Sequence, residues 1–263
     1  VAAESGKIDP MHQFQVEPLF GHDWSIAGHS IAFTNSSLWM LFTLAAVWLF
    51  MLGGMKRELV PGRWQAAVEG VTGFITSMMD QNIGPAGRKF VPYVFTVFIF
   101  ILFANMLGLL PFGVVPGVHP FTITSHLTVT AVLAIVSFAI VLVVGFAKHG
   151  FHFFSLFVPH GAPWWMLPIL VPVEFVSFMV RPFSLALRLF VAMTAGHVLL
   201  KVLAGFVIQG VNLSSPVLTP LVAIPSFALM IGISGLELLV AAIQAYVFAL
   251  LTSLYLNDAV NLH

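Results

Sequence analysis

Residues 164–209 read WWMLPILVPVEFVSFMVRPFSLALRLFVAMTAGHVLLKVLAGFVIQ, and this stretch decides the fold. Almost every position is apolar, yet Glu174, Arg181, Arg188, His197 and Lys201 lie within it. As one helix rising about 1.5 Å per residue it would run roughly 60 Å or more, about twice the ~30 Å hydrocarbon core of a bilayer. A second such stretch runs from Pro216 to Leu256, and Asn212-Leu213-Ser214-Ser215-Pro216 breaks the chain between the two. The pair reads as a hairpin of two long membrane helices, over 164–209 and 216–256. Helices of that length are strongly tilted or broken, and Pro168, Pro172, Pro182, Pro220 and Pro225 offer places to bend.

The rest of the chain agrees. Its 263 residues are 59% hydrophobic and 8% charged, with a mean hydropathy of +1.02. A soluble domain carries about 25% charged residues, so a soluble enzyme is excluded, and so is intrinsic disorder. The apolar runs are unbroken rather than alternating, which argues against a membrane β-barrel. What remains is an all-α polytopic membrane protein. Ten basic and ten acidic residues cancel, leaving no basic footprint for nucleic acid. Cysteine is absent, which removes disulfides, thiol chemistry and cysteine-held metals.

Before the hairpin the sequence predicts three ordinary spans, about 38–55, 90–110 and 122–147. Residues 64–83 differ. Trp64, Ala67, Val68, Val71, Phe74, Ile75 and Met78 recur at helical spacing with polar residues between them. That pattern predicts an amphipathic helix lying on the membrane surface. Residues 1–35 form a polar extramembrane arm, and 36–263 form a single membrane domain. The sequence opens without a basic segment leading into an apolar run, so no signal peptide is expected in it. Lys56, Arg57, Arg63, Arg88, Lys89 and Lys148 all fall on one side of these spans. The positive-inside rule makes that side the cytoplasm or its mitochondrial equivalent, with the N-terminus outside and the C-terminus inside.

An ionisable group inside a membrane costs about 2.5–3.5 kcal/mol on insertion scales, so each such group is a candidate functional site. Glu174, Arg181 and Arg188 are spaced seven apart and share one helix face. His197 is about half a turn out of phase with Arg188. On the second long helix Glu237, Gln244 and Asp258 form another polar stripe. An antiparallel hairpin would bring Glu237 near His197 and Gln244 near Arg188. Bland readings stand beside these. Arg181 and Lys201 are also suited to snorkel to the headgroups, and Glu174 is near enough to a helix start to be interfacial. Arg188 is harder to dismiss: it has no carboxylate within a turn and cannot shed its proton. A buried Glu237–His197 pair is suited to pass a proton. His126, among the hydroxyls of Thr124-Ser125-His126-Leu127-Thr128, is a candidate relay. His149, His152 and His160 read as a solvated loop rather than a metal site. Gly232-Ile233-Ser234-Gly235 matches the Gly-x-Ser-Gly of rhomboid proteases, but the only later histidine is His263, so close helix packing explains the small residues better.

Three motifs carry a resemblance. Pro182-Phe-Ser-Leu-Ala-Leu-Arg188-Leu-Phe with Ala195-Gly196-His197 resembles the signature helix of subunit a of the F-type ATP synthase. Gln244-Ala-Tyr-Val-Phe-Ala-Leu-Leu-Thr-Ser-Leu-Tyr255-Leu resembles that family's last helix, and Asn105-Met-Leu-Gly-Leu-Leu-Pro111 resembles a third of its motifs. The resemblance covers roughly residues 35–258. Pairing of His197 with Glu237 is similar to the mitochondrial and α-proteobacterial branch. Ala192 stands where many members carry Asn, so no role passes to it.

The resemblance implies a proton-channel stator, not catalytic alone, with two offset half-channels facing a rotating ring of c subunits. Arg188 would meet the ring carboxylate and block proton short-circuit, supported by Gln244. Glu237, His197 and His126 would line the outer half-channel. Arg181 and Glu174 would lie toward the inner side, with Glu174 on the exit path. Peripheral-stalk b subunits and the rest of the complex would be partners, in a bacterial or mitochondrial inner membrane. No cofactor or metal is implied, and no Gly-x-x-x-x-Gly-Lys loop is present for nucleotide. A secondary transporter would instead require matched repeats with broken helices, and none pairs the first three spans with the last two.

Overall fold

The computed structural model describes residues 16, 18, 24–26, 29–31, 33–55, 60–110, 121–158, 164–212 and 218–261. A short antiparallel ribbon, β1 (Trp24–Ile26) and β2 (His29–Ile31), lies in the arm, where no strands are expected from the sequence. Then come α1 (Asn35–Gly54), α2 (Arg63–Asn82), α3 (Val91–Leu109), α4 (Leu127–His149), α5 (Leu167–Val211) and α6 (Leu218–Val260). All but α2 belong to helical segments long and apolar enough to cross a membrane. Large apolar side chains such as Leu41, Trp48, Ile135 and Leu239 face outward, as a chain surrounded by lipid requires.

The expected long hairpin forms without a break. Helix α5 is 45 residues and α6 is 43, continuous through Pro172, Pro182 and Pro225. At about 1.5 Å per residue they are roughly 68 and 65 Å long, so a ~30 Å core admits them only if they incline steeply or curve. Their antiparallel register is fixed at three levels. Near the hairpin turn a Cβ on Gly210 would press on the backbone of Ala223, 2.9 Å from its nitrogen. Further along, Gly196 abuts Glu237, and Arg181 pairs with Asp258.

Two boundaries differ from the sequence reading. The third span begins at Leu127 rather than 122, because Ile123–Ser125 winds into a 3-10 turn. Serine and threonine hydroxyls compete for nearby backbone groups, and here Ser125 Oγ donates to the Thr122 carbonyl at 2.6 Å. Within the segment read as a loop, residues 150–157 are a 3-10 helix that folds back on the bundle. Gly150, at φ 56°, reverses the chain. Phe153 and Phe157 then bury against Phe178.

Helix α2 packs its apolar side on protein. Ile75 and Met79 are fully buried, and Val68 and Met78 nearly so. Gly53 and Gly54 leave room for Trp64 and Val68, and Trp64 Nε1 donates to the Phe50 carbonyl at 2.9 Å. At its far end Asn82 Nδ2 donates to Ser253 Oγ of α6 at 2.6 Å.

One end of the bundle collects cations. Lys148 Nζ and His149 Nε2 lie 2.8 and 3.1 Å from the Val260 carbonyl, placing the Lys148 ammonium at the C-terminal end of α6. Gly108 of α3 meets Thr122 just before α4, so Arg88 and Lys89, at the start of α3, lie at the same end as Lys148. Lys56 and Arg57 lie outside the described residues, as do His160, His263 and most of the loop at 111–121.

Candidate functional site

The buried polar cluster lies where α3, α5, α6 and the 3-10 turn meet. His197 of α5 and Glu237 of α6 are both buried, with His197 Nδ1 3.5 Å from Glu237 Oε1. Gly196 permits this approach: a Cβ there would sit 2.6 Å from the same oxygen. Fully buried Ala241 and Ala245 follow Glu237 at one-turn intervals and keep α6 close to its neighbours. The other face of the His197 ring is held by the turn, with Nε2 2.6 Å from Thr122 Oγ1. Neither Glu237 oxygen takes a hydrogen bond from the described residues. A carboxyl beside an imidazole, itself beside a hydroxyl, is chemically able to hold and hand on a proton.

The turn is latched from three sides. Thr124 Oγ1 donates to Asn105 Oδ1 at 2.6 Å, and Asn105 Nδ2 donates to the Ala241 carbonyl at 3.1 Å. Thr194 Oγ1 reaches the Ser125 carbonyl at 3.4 Å. His126 follows the turn as the residue before α4, its ring stacked on Phe121 at 4.6 Å. Its Nε2 is buried without a hydrogen bond, and no direct bond joins it to His197 or Glu237 among the described residues.

A second cluster sits toward the opposite end. Arg181 Nη1 donates to Asp258 Oδ2 at 2.7 Å, and its guanidinium lies over the rings of Phe178 and Tyr255 at 5.2 and 5.0 Å. The pair ties α5 to the end of α6. Glu174, two turns earlier, is half-buried and makes no hydrogen bond or ion pair with the described residues.

Arg188 lies between the two clusters along α5. It is exposed and makes no hydrogen bond or ion pair with the described residues. Val180, Ser184, Arg188, Val191, Ala195 and Leu199 form one exposed stripe along α5. Gln244 is half-buried and shares no bond with Arg188. Interpolating the register leaves the two about one turn apart along the helices. The expected nearness of Gln244 to Arg188 is thus looser than the pairing of His197 with Glu237.

The sequence profile of the ATP synthase A chain family matches residues 37–257. The chain belongs to that family. Similar proteins named ATP synthase subunit a occur in Rhizorhabdus wittichii, 72% identical over the full length of both chains, and in Zymomonas mobilis, 60% identical over 99% of this chain and all of that one. Another in Rhodospirillum rubrum is 46% identical over 97% of this chain and 99% of its own. These relatives come from α-proteobacteria, the branch that the His197–Glu237 pairing resembled.

Membership in the ATP synthase A chain family leaves the protease resemblance without support. Ser234 Oγ donates to the Met230 carbonyl of its own helix at 2.8 Å, on an exposed face. Nor do the small residues around it pack within the chain: no described atom lies within 4 Å of a Cβ built on Gly232 or Gly235. Among the described residues no three His, Asp or Glu side chains gather as metal ligands. The sequence reading missed Thr122, Thr124 and Asn105 as members of the cluster. The signal was the hydroxyl run Thr122-Ile-Thr-Ser125 directly before an apolar span.

Proposed function

We propose that this chain is the proton-conducting stator of a rotary ATP synthase, not catalytic by itself. It presents two offset half-channels to a rotating ring of c subunits. Its A-chain family and its relatives' name, ATP synthase subunit a, support this. The observation that carries it is Arg188: a permanent cation on an exposed, otherwise apolar helix face, with no counter-ion among the described residues. Such a group in a membrane needs an anion from outside the chain, and a ring carboxylate supplies one. As each carboxylate passes, Arg188 attracts its deprotonated form and repels protons that would leak between the half-channels.

Glu237 and His197 line the outer, uptake half-channel, with His126 beyond them. Glu174 lies toward the exit, and Arg181 braces that side through Asp258. Gln244 supports Arg188 from α6. The N-terminus lies outside and the C-terminus inside an energy-coupling inner membrane, with b subunits as further partners.

The chain has no cysteine, so single cysteines can map the ring-facing surface. Ala195→Cys and Leu199→Cys, on the Arg188 stripe, should form disulfides with cysteines placed beside the ring carboxylate in the assembled complex. Met193→Cys, fully buried, should not. Cross-links from Met193→Cys alone would overturn the assignment of this face.

A further inference from the structure

We infer that Thr122 is the positioning residue for His197, and that Gly108 exists to seat it. The inference rests on the stator reading and extends it to a residue outside the two long helices. Thr122 is buried, and its hydroxyl lies 2.6 Å from His197 Nε2, while Nδ1 points to Glu237. The imidazole is thus held from both ends, by a carboxyl on α6 and by a hydroxyl on the turn before α4.

A hydroxyl is the one small group suited to this place. When Nδ1 carries the proton toward Glu237, Nε2 is an acceptor and Thr122 donates to it. When Nε2 carries the proton, Thr122 accepts. The ring therefore keeps its orientation while a proton moves between Nδ1 and the Glu237 carboxyl. Second-partner hydrogen bonds of this kind fix which ring nitrogen is protonated. A carboxylate, which only accepts, would favour one tautomer, and an apolar side chain would leave a buried ring nitrogen unpaired.

The surroundings fix Thr122 more firmly than a loop residue needs. A Cβ at Gly108 would overlap the Thr122 hydroxyl, so a bare glycine on α3 is what opens the space. Asn105, one turn earlier on α3, holds Thr124 and reaches to α6. Ser125 closes the turn onto the Thr122 carbonyl. Asn105 and Gly108 thus serve one purpose, to place a hydroxyl against His197. Among the described residues the other ionisable groups nearby are Glu237 on α6, Lys201 one turn further along α5, and His126 four residues after Thr122.

The test compares Thr122→Val, Thr122→Ser and Gly108→Ala by passive proton conduction through head-stripped membranes, with the amount of this chain measured in each. Valine keeps the shape and loses the hydroxyl; serine does the reverse. Thr122→Val should lower conduction about tenfold, the loss expected for one buried hydrogen bond. Thr122→Ser should conduct within about twofold of wild type, since it keeps that bond. Gly108→Ala should resemble Thr122→Val. A structural role would reverse the order, with valine tolerated and serine impaired, and that result overturns the inference. If Thr122→Val does not assemble, Thr122→Ser and Gly108→Ala decide: impaired serine, or an undisturbed Gly108→Ala, overturns it. Glu237→Gln is run alongside. Normal conduction there sinks the stator reading itself, whereas loss there with normal Thr122→Val sinks only the positioning role.

Discussion

Glu237 is buried to 3% exposure with an imidazole on one side and no hydrogen bond to either oxygen from the described residues, an expensive arrangement for a merely structural carboxyl. Glu237→Gln keeps its size and removes its proton chemistry, and should lower ATP-driven pumping by about a hundredfold while the complex still assembles. The Ser234 hydroxyl donates to the Met230 carbonyl of its own helix on an exposed face, so Ser234→Ala should pump within about twofold of wild type. A protease would show the opposite pattern. At this scale the sequence was informative where cost was the signal. Arg188, His197 and Glu237 stood out because charge is rare in apolar helices. Thr122 did not stand out, since a threonine beside a span is ordinary and its partner is 75 residues away.

Helices α5 and α6 were legible as elements from length alone, and their antiparallel pairing from the break between them. Their register was legible at His197 and Glu237, and to within about a turn at Arg188 and Gln244. It depends on close contacts at Gly196 and Gly210 and on the ion pair of Arg181 with Asp258. That pair is partly exposed, at 21% and 34% for the two side chains, so its coupling should be modest. A double-mutant cycle with Arg181→Gln and Asp258→Asn, read from the thermal stability of the detergent-solubilised complex, should give about 1 kcal/mol. Additive effects would show that the two side chains do not act together. The 3-10 helix at 150–157 was not legible, because a run of phenylalanines after a lysine looks the same whether it folds back on a bundle or meets the headgroups.

For the whole molecule, the shared position of Lys148, the C-terminal end of α6 and the Arg181–Asp258 pair defines one end of the bundle, and the proposed topology puts that end inside. Phe151→Cys, at a position 92% exposed just past Lys148, should react with an impermeant maleimide in inverted vesicles and not in intact right-side-out ones. Val16→Cys in the arm should do the reverse, and an exchange of the two patterns would invert the topology. If Arg188 couples proton movement to the ring, ATP-driven acidification of inverted vesicles depends on it. With Arg188→Ala in a fully assembled complex, acidification should vanish. Acidification that persists at the wild-type rate would contradict the account.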